Sequence, residues 1–279
     1  MNIAFGSLAL GLGSLAAGFL GALTGLGGGV VIVPLLVLVF HVDMRYAIGA
    51  SLVSVIATSS GAAVAYVQEG LSNIRLGMFL EIATTLGAIS GAALVTHVPT
   101  RTLAVLFGLV LLYSAYLSSE RVVQSRPEPT GPSPAASWLR LNAAQPTPAG
   151  PVPYVVQNVT GGFSLMYVAG VLSGLLGIGS GAVKVLAMDH VMRLPFKVST
   201  ATSNFMIGVT AAASAGIYLR RGYLDPGIAW PVVLGVLAGA LIGARTLVRA
   251  PIGRLRTVFV AVIVLLGIEM LYNGLMGRA

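Results

Sequence analysis

The sequence predicts an all-α, polytopic membrane protein made of two inverted repeats of about five helical segments each, with short glycine-broken half-helices. Three observations lead there: the composition, the spacing of the apolar runs, and an ungapped internal repeat. Of 279 residues, 56% are hydrophobic and 9% are charged, and the mean hydropathy is +0.93. A soluble domain carries about 25% charged residues, so most of this chain is built to face lipid or other helices.

Ten apolar runs follow one another between charged or proline-containing breaks. The first, 3–25, has the length needed to cross a hydrocarbon core. It opens Met1-Asn2, without the basic start of a signal peptide, so it is expected to be retained. The second, 28–40, is short. At about 1.5 Å per residue it covers less than about 20 Å of a core about 30 Å thick. Runs 46–68, 75–96 and 101–118 complete the first half. The second half repeats the pattern with 163–178, a short 181–192, then 197–219, 227–248 and 254–276. Asp225-Pro226 reads as an ordinary helix start. The expected organisation is therefore a first membrane repeat 1–118, an aqueous linker 119–161 and a second membrane repeat 162–279. The linker is proline-rich and charged; within it SWLRLN and PYVVQNV either pair as a small hairpin or stay disordered.

The halves align without a gap at a shift of 152 residues. Gly25, Gly27 and Gly29 meet Gly177, Gly179 and Gly181; Ser51 meets Ser203, Thr58 meets Thr210, and Tyr66 meets Tyr218. Gly70 meets Gly222, Gly87 meets Gly239, Gly91 meets Gly243 and Pro99 meets Pro251. An odd number of crossings per half inverts the second repeat relative to the first, whether or not the short segments cross. Loop arginines and lysines favour a cytoplasmic linker with both termini outside, in the cytoplasmic (inner) membrane.

Several function classes drop out. The net charge of +8 sits mostly in loops, where it orients helices, so no nucleic-acid partner is expected. With no cysteine there are no disulfides or thiolate metal sites. His41, His97 and His190 are scattered without metal-ligand spacing, and no metal or other cofactor is expected. GLGGGV lacks the Gly-Lys-Ser/Thr ending of a phosphate loop. An intramembrane enzyme needs a convergent His/Asp/Glu cluster or a nucleophile–base pair, and the scattered histidines argue against one.

The remaining signal lies in the two breaks, TGLGGGVVIVP at Thr24–Pro34 and LGIGSGAVKVL at Leu176–Leu186. A discontinuous helix presents backbone N–H groups and the positive end of its dipole at the start of its second half, a ready anion site. Paired, glycine-interrupted short segments are the best sequence pointer to a transporter's binding site. The bland alternative is close packing, since Gly25–Gly29 and Gly177–Gly181 also have Gly-x-x-x-Gly spacing. The candidate anion ligands are Gly27, Gly28 and Gly29 with Gly179, Ser180 and Gly181.

Lys184, three residues beyond the second break, is the sharper clue. An intramembrane lysine reads as anion binding or coupling, or as a structural pair with an acid such as Asp189 or Glu269. At such a place it could also take a proton together with the anion. Glu81, Arg245 and Glu269 lie within helices and either pair with one another or carry protons. The cluster KVSTATSNF adds Ser203 and Asn204, with Ser51 as the first-half equivalent. Hydroxyls in membrane helices also bond back to their own backbone, so cavity lining and structure compete as readings for these three.

At GALTGLGGGVVIVPLL and GVLSGLLGIGSGAVKVL, the chain resembles the TauE/SafE sulfite exporter family of membrane anion transporters. The resemblance covers nearly everything except the linker. It implies two homologous halves and secondary transport, as an exporter, of a small sulfur-containing anion such as sulfite or an organosulfonate. Ser180 replaces the central glycine of the family's second motif, Leu186 stands where Pro34 stands in the first half, and Lys184 is added. These departures point to a site tuned for a different anion, or to uptake instead of export. The implied partners are the anion, the bilayer and a coupling proton, with transport by alternating access. An anion channel, or a membrane subunit serving a sulfur-metabolising partner, is the alternative reading; oligomeric state is not written in the sequence.

Overall fold

The computed structural model describes residues 3–24, 28–68, 70–119, 133–147, 150–247 and 252–277. Gly25, Gly27, Arg249 and Pro251 lie outside the described residues, as do the side chains of Tyr66 and Arg245. The first half comprises α1 (Ile3–Thr24), α2 (Gly29–Pro34), α3 (Met44–Gln68), α4 (Ile74–Leu94) and α5 (Thr100–Ser119). A linker follows, with the short helix α6 (Pro134–Trp138) and the strands β1 (Ala143–Gln145) and β2 (Val152–Tyr154). The second half comprises α7 (Val159–Leu176), α8 (Gly181–Leu186), α9 (Phe196–Arg220), α10 (Pro226–Leu247) and α11 (Ile252–Met276).

The ten predicted segments are all present, and the shift of 152 residues reappears as geometry. α2 and α8 each run on into a π-helical turn, Leu35–Val39 and Ala187–Val191. Only the first carries a proline (Pro34, with Leu186 at the equivalent place), so the π-turn does not depend on it. Both half-helices stop in the same way. His41 (φ 54°) and Arg193 (φ 55°) adopt the left-handed conformation. The next N–H reaches back six residues, from Val42 to Leu36 O and from Leu194 to Met188 O, one residue further than in a Schellman termination because the turn before it is π-helical.

The helices pair across the halves. α1 packs on α10 and α4 on α7, α3 crosses α9, α5 lies along α11, and α4–α9 is matched by α3–α10. Exchanging the halves leaves this pattern unchanged. The repeat glycines explain two of these crossings: Gly87 on α4 faces the Tyr167 carbonyl of α7, and Gly239 on α10 faces the Leu15 carbonyl of α1. Both glycines let a backbone approach where a side chain would block it.

Burial is arranged for lipid. Met78, Ile82, Leu86 and Ile89 form an exposed apolar stripe along α4, and Leu234, Leu241, Leu265, Ile268 and Leu275 are exposed on α10 and α11. Ser51, Ser54, Thr84, Lys184, Ser203 and Thr210 are buried. Among the described residues two helices, Ile74–Leu94 and Val159–Leu176, are long and apolar enough to cross a membrane by length and composition.

The linker differs in detail from expectation. A hairpin forms, but it pairs Ala143 with Tyr154 and Gln145 with Val152; Ser137 and Trp138 belong to α6 instead. Pro134 at the first turn pre-sets the helical φ, and the Asn142 side chain accepts the Val156 N–H beside the strands (2.9 Å). α7 also starts at Val159, earlier than the predicted 163, because Asn158 caps it by accepting the Gly161 N–H. The hairpin is packed on the bundle: Leu141, Tyr154 and Val156 share a buried cluster with Leu76, Leu80, Met188, Met192 and Val198. Asn73 ties it down, donating from Nδ2 to Leu141 O (2.9 Å) and to the Tyr154 hydroxyl (3.0 Å). Burial raises the pKa of that tyrosine, and the Asn73 hydrogen bond opposes the shift.

Candidate anion site

The two glycine breaks meet at the crossing of α3 and α9. A methyl group on Gly29 would fall 2.7 Å from Ser51 Oγ and 2.9 Å from the Gly177 carbonyl oxygen. Gly29 opens α2, and Gly177 ends α7 in the left-handed conformation (φ 68°). On α3 the wall is made by Ile48, Ser51 and Val55, and on α9 by Ser203, Ile207 and Thr210, each set spaced to share a helix face. Ser51 donates to Gly177 O (2.8 Å) and Ser203 to Gly181 O (3.3 Å), so each serine pins a break.

The breaks are not alike. Gly28 precedes α2 in ordinary right-handed geometry, whereas Gly179 (φ 68°) and Ser180 (φ 44°) turn the chain left-handed before α8. A side chain at φ 44° is strained where glycine is not. Ser180 is 2% exposed, and its hydroxyl is buried with no hydrogen-bond partner. Buried hydroxyls are nearly always partnered, so Ser180 has capacity left for a ligand.

Lys184 is fully buried (0% exposed), and its ammonium donates to Thr210 Oγ1 at 2.6 Å. Thr210 Oγ1 lies 2.7 Å from Glu81 Oε1 and 2.9 Å from its own-helix carbonyl at Met206. Thr85 also donates to Glu81 Oε1 (3.0 Å), while Glu81 Oε2 is buried and unpartnered. Among the described residues no carboxylate oxygen lies within ion-pair distance of Lys184. The Lys184 contact is thus a hydroxyl-bridged link to Glu81 on α4, not a pair with Asp189 or Glu269.

Other predicted donors are placed less directly. Asn204 is buried but gives its amide to the Thr200 carbonyl one turn back (3.1 Å). Thr202 accepts the Asn73 N–H (3.0 Å) and so serves the linker end of the bundle. Gly28 faces Val236 of α10 (3.1 Å from a built Cβ), and Gly27 lies outside the described residues. Thr210 is the residue that sequence reasoning passed over. Its signal was present: it pairs with Thr58 in the repeat and falls two turns beyond Ser203 on the same face. A separate cavity of about 380 Å³ lies between α3 and α9, lined by Ile56, Ser59, Phe205, Gly208 and Ala212. It occupies the face of α9 turned away from Ser203 and Thr210 and is not part of this site.

Residues 10–270 match the family described as Sulfite exporter TauE/SafE. The chain is similar to the probable membrane transporter protein YunE of Bacillus subtilis (strain 168), at 27% identity covering 94% of this chain and 96% of that one. It is similar to the probable membrane transporter protein YdhB of the same strain, at 28% identity covering 82% of this chain and 83% of that one. A probable membrane transporter protein of Xylella fastidiosa (strain 9a5c) is 25% identical over 95% of this chain and 94% of its own length. No solved structure matches. The apolar outer faces, the paired breaks at Gly29 and Gly177, and a family match spanning nearly the whole chain have one conclusion: this integral membrane protein is a transporter belonging to the TauE/SafE sulfite exporter family.

Proposed function

We propose that the protein is a secondary transporter of a small sulfur-containing anion, such as sulfite or an organosulfonate, exporting it across the cytoplasmic membrane by alternating access between two inverted repeats. The observation that carries this reading is Lys184. It is a fully buried cation just beyond a discontinuous helix, with no carboxylate in ion-pair contact among the described residues. A buried charge of this kind is stable only with compensation, and intramembrane cations mark substrate pathways. The anion is held by backbone N–H groups following Gly27–Gly29 and Gly179–Gly181, with the Ser180 hydroxyl as a further donor and Lys184 supplying charge. Ser51 and Ser203 pin the breaks around it. Sulfur oxyanions fit because their several oxygens accept from backbone, hydroxyl and ammonium donors at once, and the family's description names sulfite. The exchange-invariant helix pairing supports a pseudo-two-fold relation of the halves, and an odd number of segments per half makes that relation an inversion.

The test is transport current from purified protein in liposomes, as sulfite, thiosulfate, sulfate, methanesulfonate and acetate are presented in turn. The expected result is a saturable response to a sulfur oxyanion that disappears in folded Lys184→Ala. A Lys184→Ala response equal to wild type removes the lysine from the site; no response from wild type to any of these anions removes the transport reading for them.

A further inference from the structure

We propose that Glu81 is the proton-carrying residue of this transporter, linked through the Thr210 hydroxyl to the anion-binding ammonium of Lys184. The inference rests on the anion-transport reading above. It starts from three residues on three elements, Glu81 on α4, Lys184 on α8 and Thr210 on α9, joined by contacts of 2.6 Å and 2.7 Å.

Charge balance sets the coupling. An occluded, low-dielectric site tolerates neutral sums far better than net charge. With Lys184 charged, two occupancies are neutral. One is the empty site with Glu81 ionised; the other is the anion-loaded site with Glu81 protonated. Carrying the anion against an ionised Glu81 leaves a net negative site, and carrying the proton alone leaves a net positive one. Both are disfavoured, so one proton accompanies each monovalent anion. The proton passes from water on the loading side to the Glu81 carboxylate and leaves to water on the other side with the anion, which is chemically unchanged.

Thr210 is suited to hold both states. A hydroxyl has one hydrogen and two acceptor sites, and Thr210 Oγ1 has three polar neighbours: Lys184 Nζ, Glu81 Oε1 and Met206 O. When Glu81 is ionised, Thr210 accepts from Lys184 and donates to Glu81. When Glu81 is protonated, its O–H donates to Thr210, which turns its own hydrogen to the Met206 carbonyl. Neither state strands a hydrogen at this hydroxyl. The second carboxylate oxygen, Glu81 Oε2, is buried without a partner, leaving the carboxylate incompletely satisfied when ionised.

α4 packs against α7 and α9. α7 contains no Asp, Glu, Lys, Arg or His, and α9 carries its charges, Lys197 and Arg220, at its ends, with Arg221 just beyond. α4 itself has Arg75 in its first turn, and Asp189 and His190 lie on the π-turn after α8. Lys184 is the charged group that the threonine brings to Glu81.

The experiment uses the full-length protein in liposomes enclosing a pH-sensitive dye. Radiolabelled methanesulfonate, which does not titrate near neutrality, is counted in parallel with proton flux, and thiosulfate and sulfite are run alongside. Wild type should move protons with the anion, and in Glu81→Gln the proton-to-anion ratio should fall to the background of empty liposomes. Because Gln removes the counter-charge of Lys184, folding is checked by elution profile and helical circular dichroism. If Glu81→Gln does not fold, Thr210→Val carries the test against Thr210→Ser, with loss of coupling expected in the first and recovery in the second. Anion flux without proton flux in wild type overturns this inference alone, as does unchanged coupling in folded Glu81→Gln or in Thr210→Val. Absence of any anion flux in wild type overturns the transport reading, and this one with it.

Discussion

Replacing Lys184 by Met keeps an unbranched side chain of similar length and deletes the charge. The ammonium lies 2.6 Å and the Glu81 carboxylate oxygen 2.7 Å from the Thr210 hydroxyl, so even at the largest separation this allows, about 5 Å, and an effective dielectric near 20 their attraction is worth about 3 kcal/mol. Lys184 is fully buried and Glu81 is 8% exposed, so solvent screens little of it. Removing one member of a buried pair leaves the other uncompensated, a loss of about 3–5 kcal/mol in measured cases. For a chain of this size each kcal/mol lowers the melting temperature by about 2–4 °C, so Lys184→Met should melt about 6–20 °C below wild type. The double variant Lys184→Met/Glu81→Gln removes both charges and should recover most of that loss. The assay is thermal unfolding in mild detergent followed by intrinsic fluorescence, with all four members of the cycle measured at one pH and salt concentration. A single variant melting within about 2 °C of wild type, or a double variant no more stable than Lys184→Met, would refute the linkage of these residues.

Three further outcomes are expected. Gly87→Ala places a methyl group against the Tyr167 carbonyl and 3.0 Å from Val171 N, forcing α4 from α7; overpacking of this kind costs about 1–3 kcal/mol. Gly216→Ala, in α9 with open space around it, should instead stabilise by about 0.5–1 kcal/mol, so opposite shifts in melting temperature test the crossing. Asn73→Ala loses the α4 cap (Leu76 N–H to Oδ1, 3.0 Å) and both ties to the linker, about 2–3 kcal/mol together; limited proteolysis should then cut the 133–158 region faster, and an unchanged cleavage rate refutes the tie. Gly28→Leu meets Val236 and Gly18 at the head of α2, so anion affinity in the liposome assay should fall sharply; normal affinity in a folded variant returns Gly28 to packing alone.

Much of the architecture was legible because membrane helices are long, apolar and separated by polar breaks. The ten segments, the short second member of each half and the cap at Asp225 all follow from local chemistry. The linker was legible only as a composition. Its strand register depends on Asn142 and on packing against Met188 and Met192, which are distant in the chain.

Locally encoded features therefore include the helical class, the sequence match between the halves, the two breaks and the presence of one lysine beyond the second break. Repetition and hydropathy are properties of the chain itself, and no contact is needed to read them. Tertiary structure decided what that lysine meets. The sequence pointed to Asp189 or Glu269 as its acid partner and not to Glu81, because separation along the chain does not report which helix faces which. Only the crossing of α4 with α9 brings Glu81 to Thr210, and only the left-handed turn at Ser180 sets α8 so that Lys184 reaches the same hydroxyl.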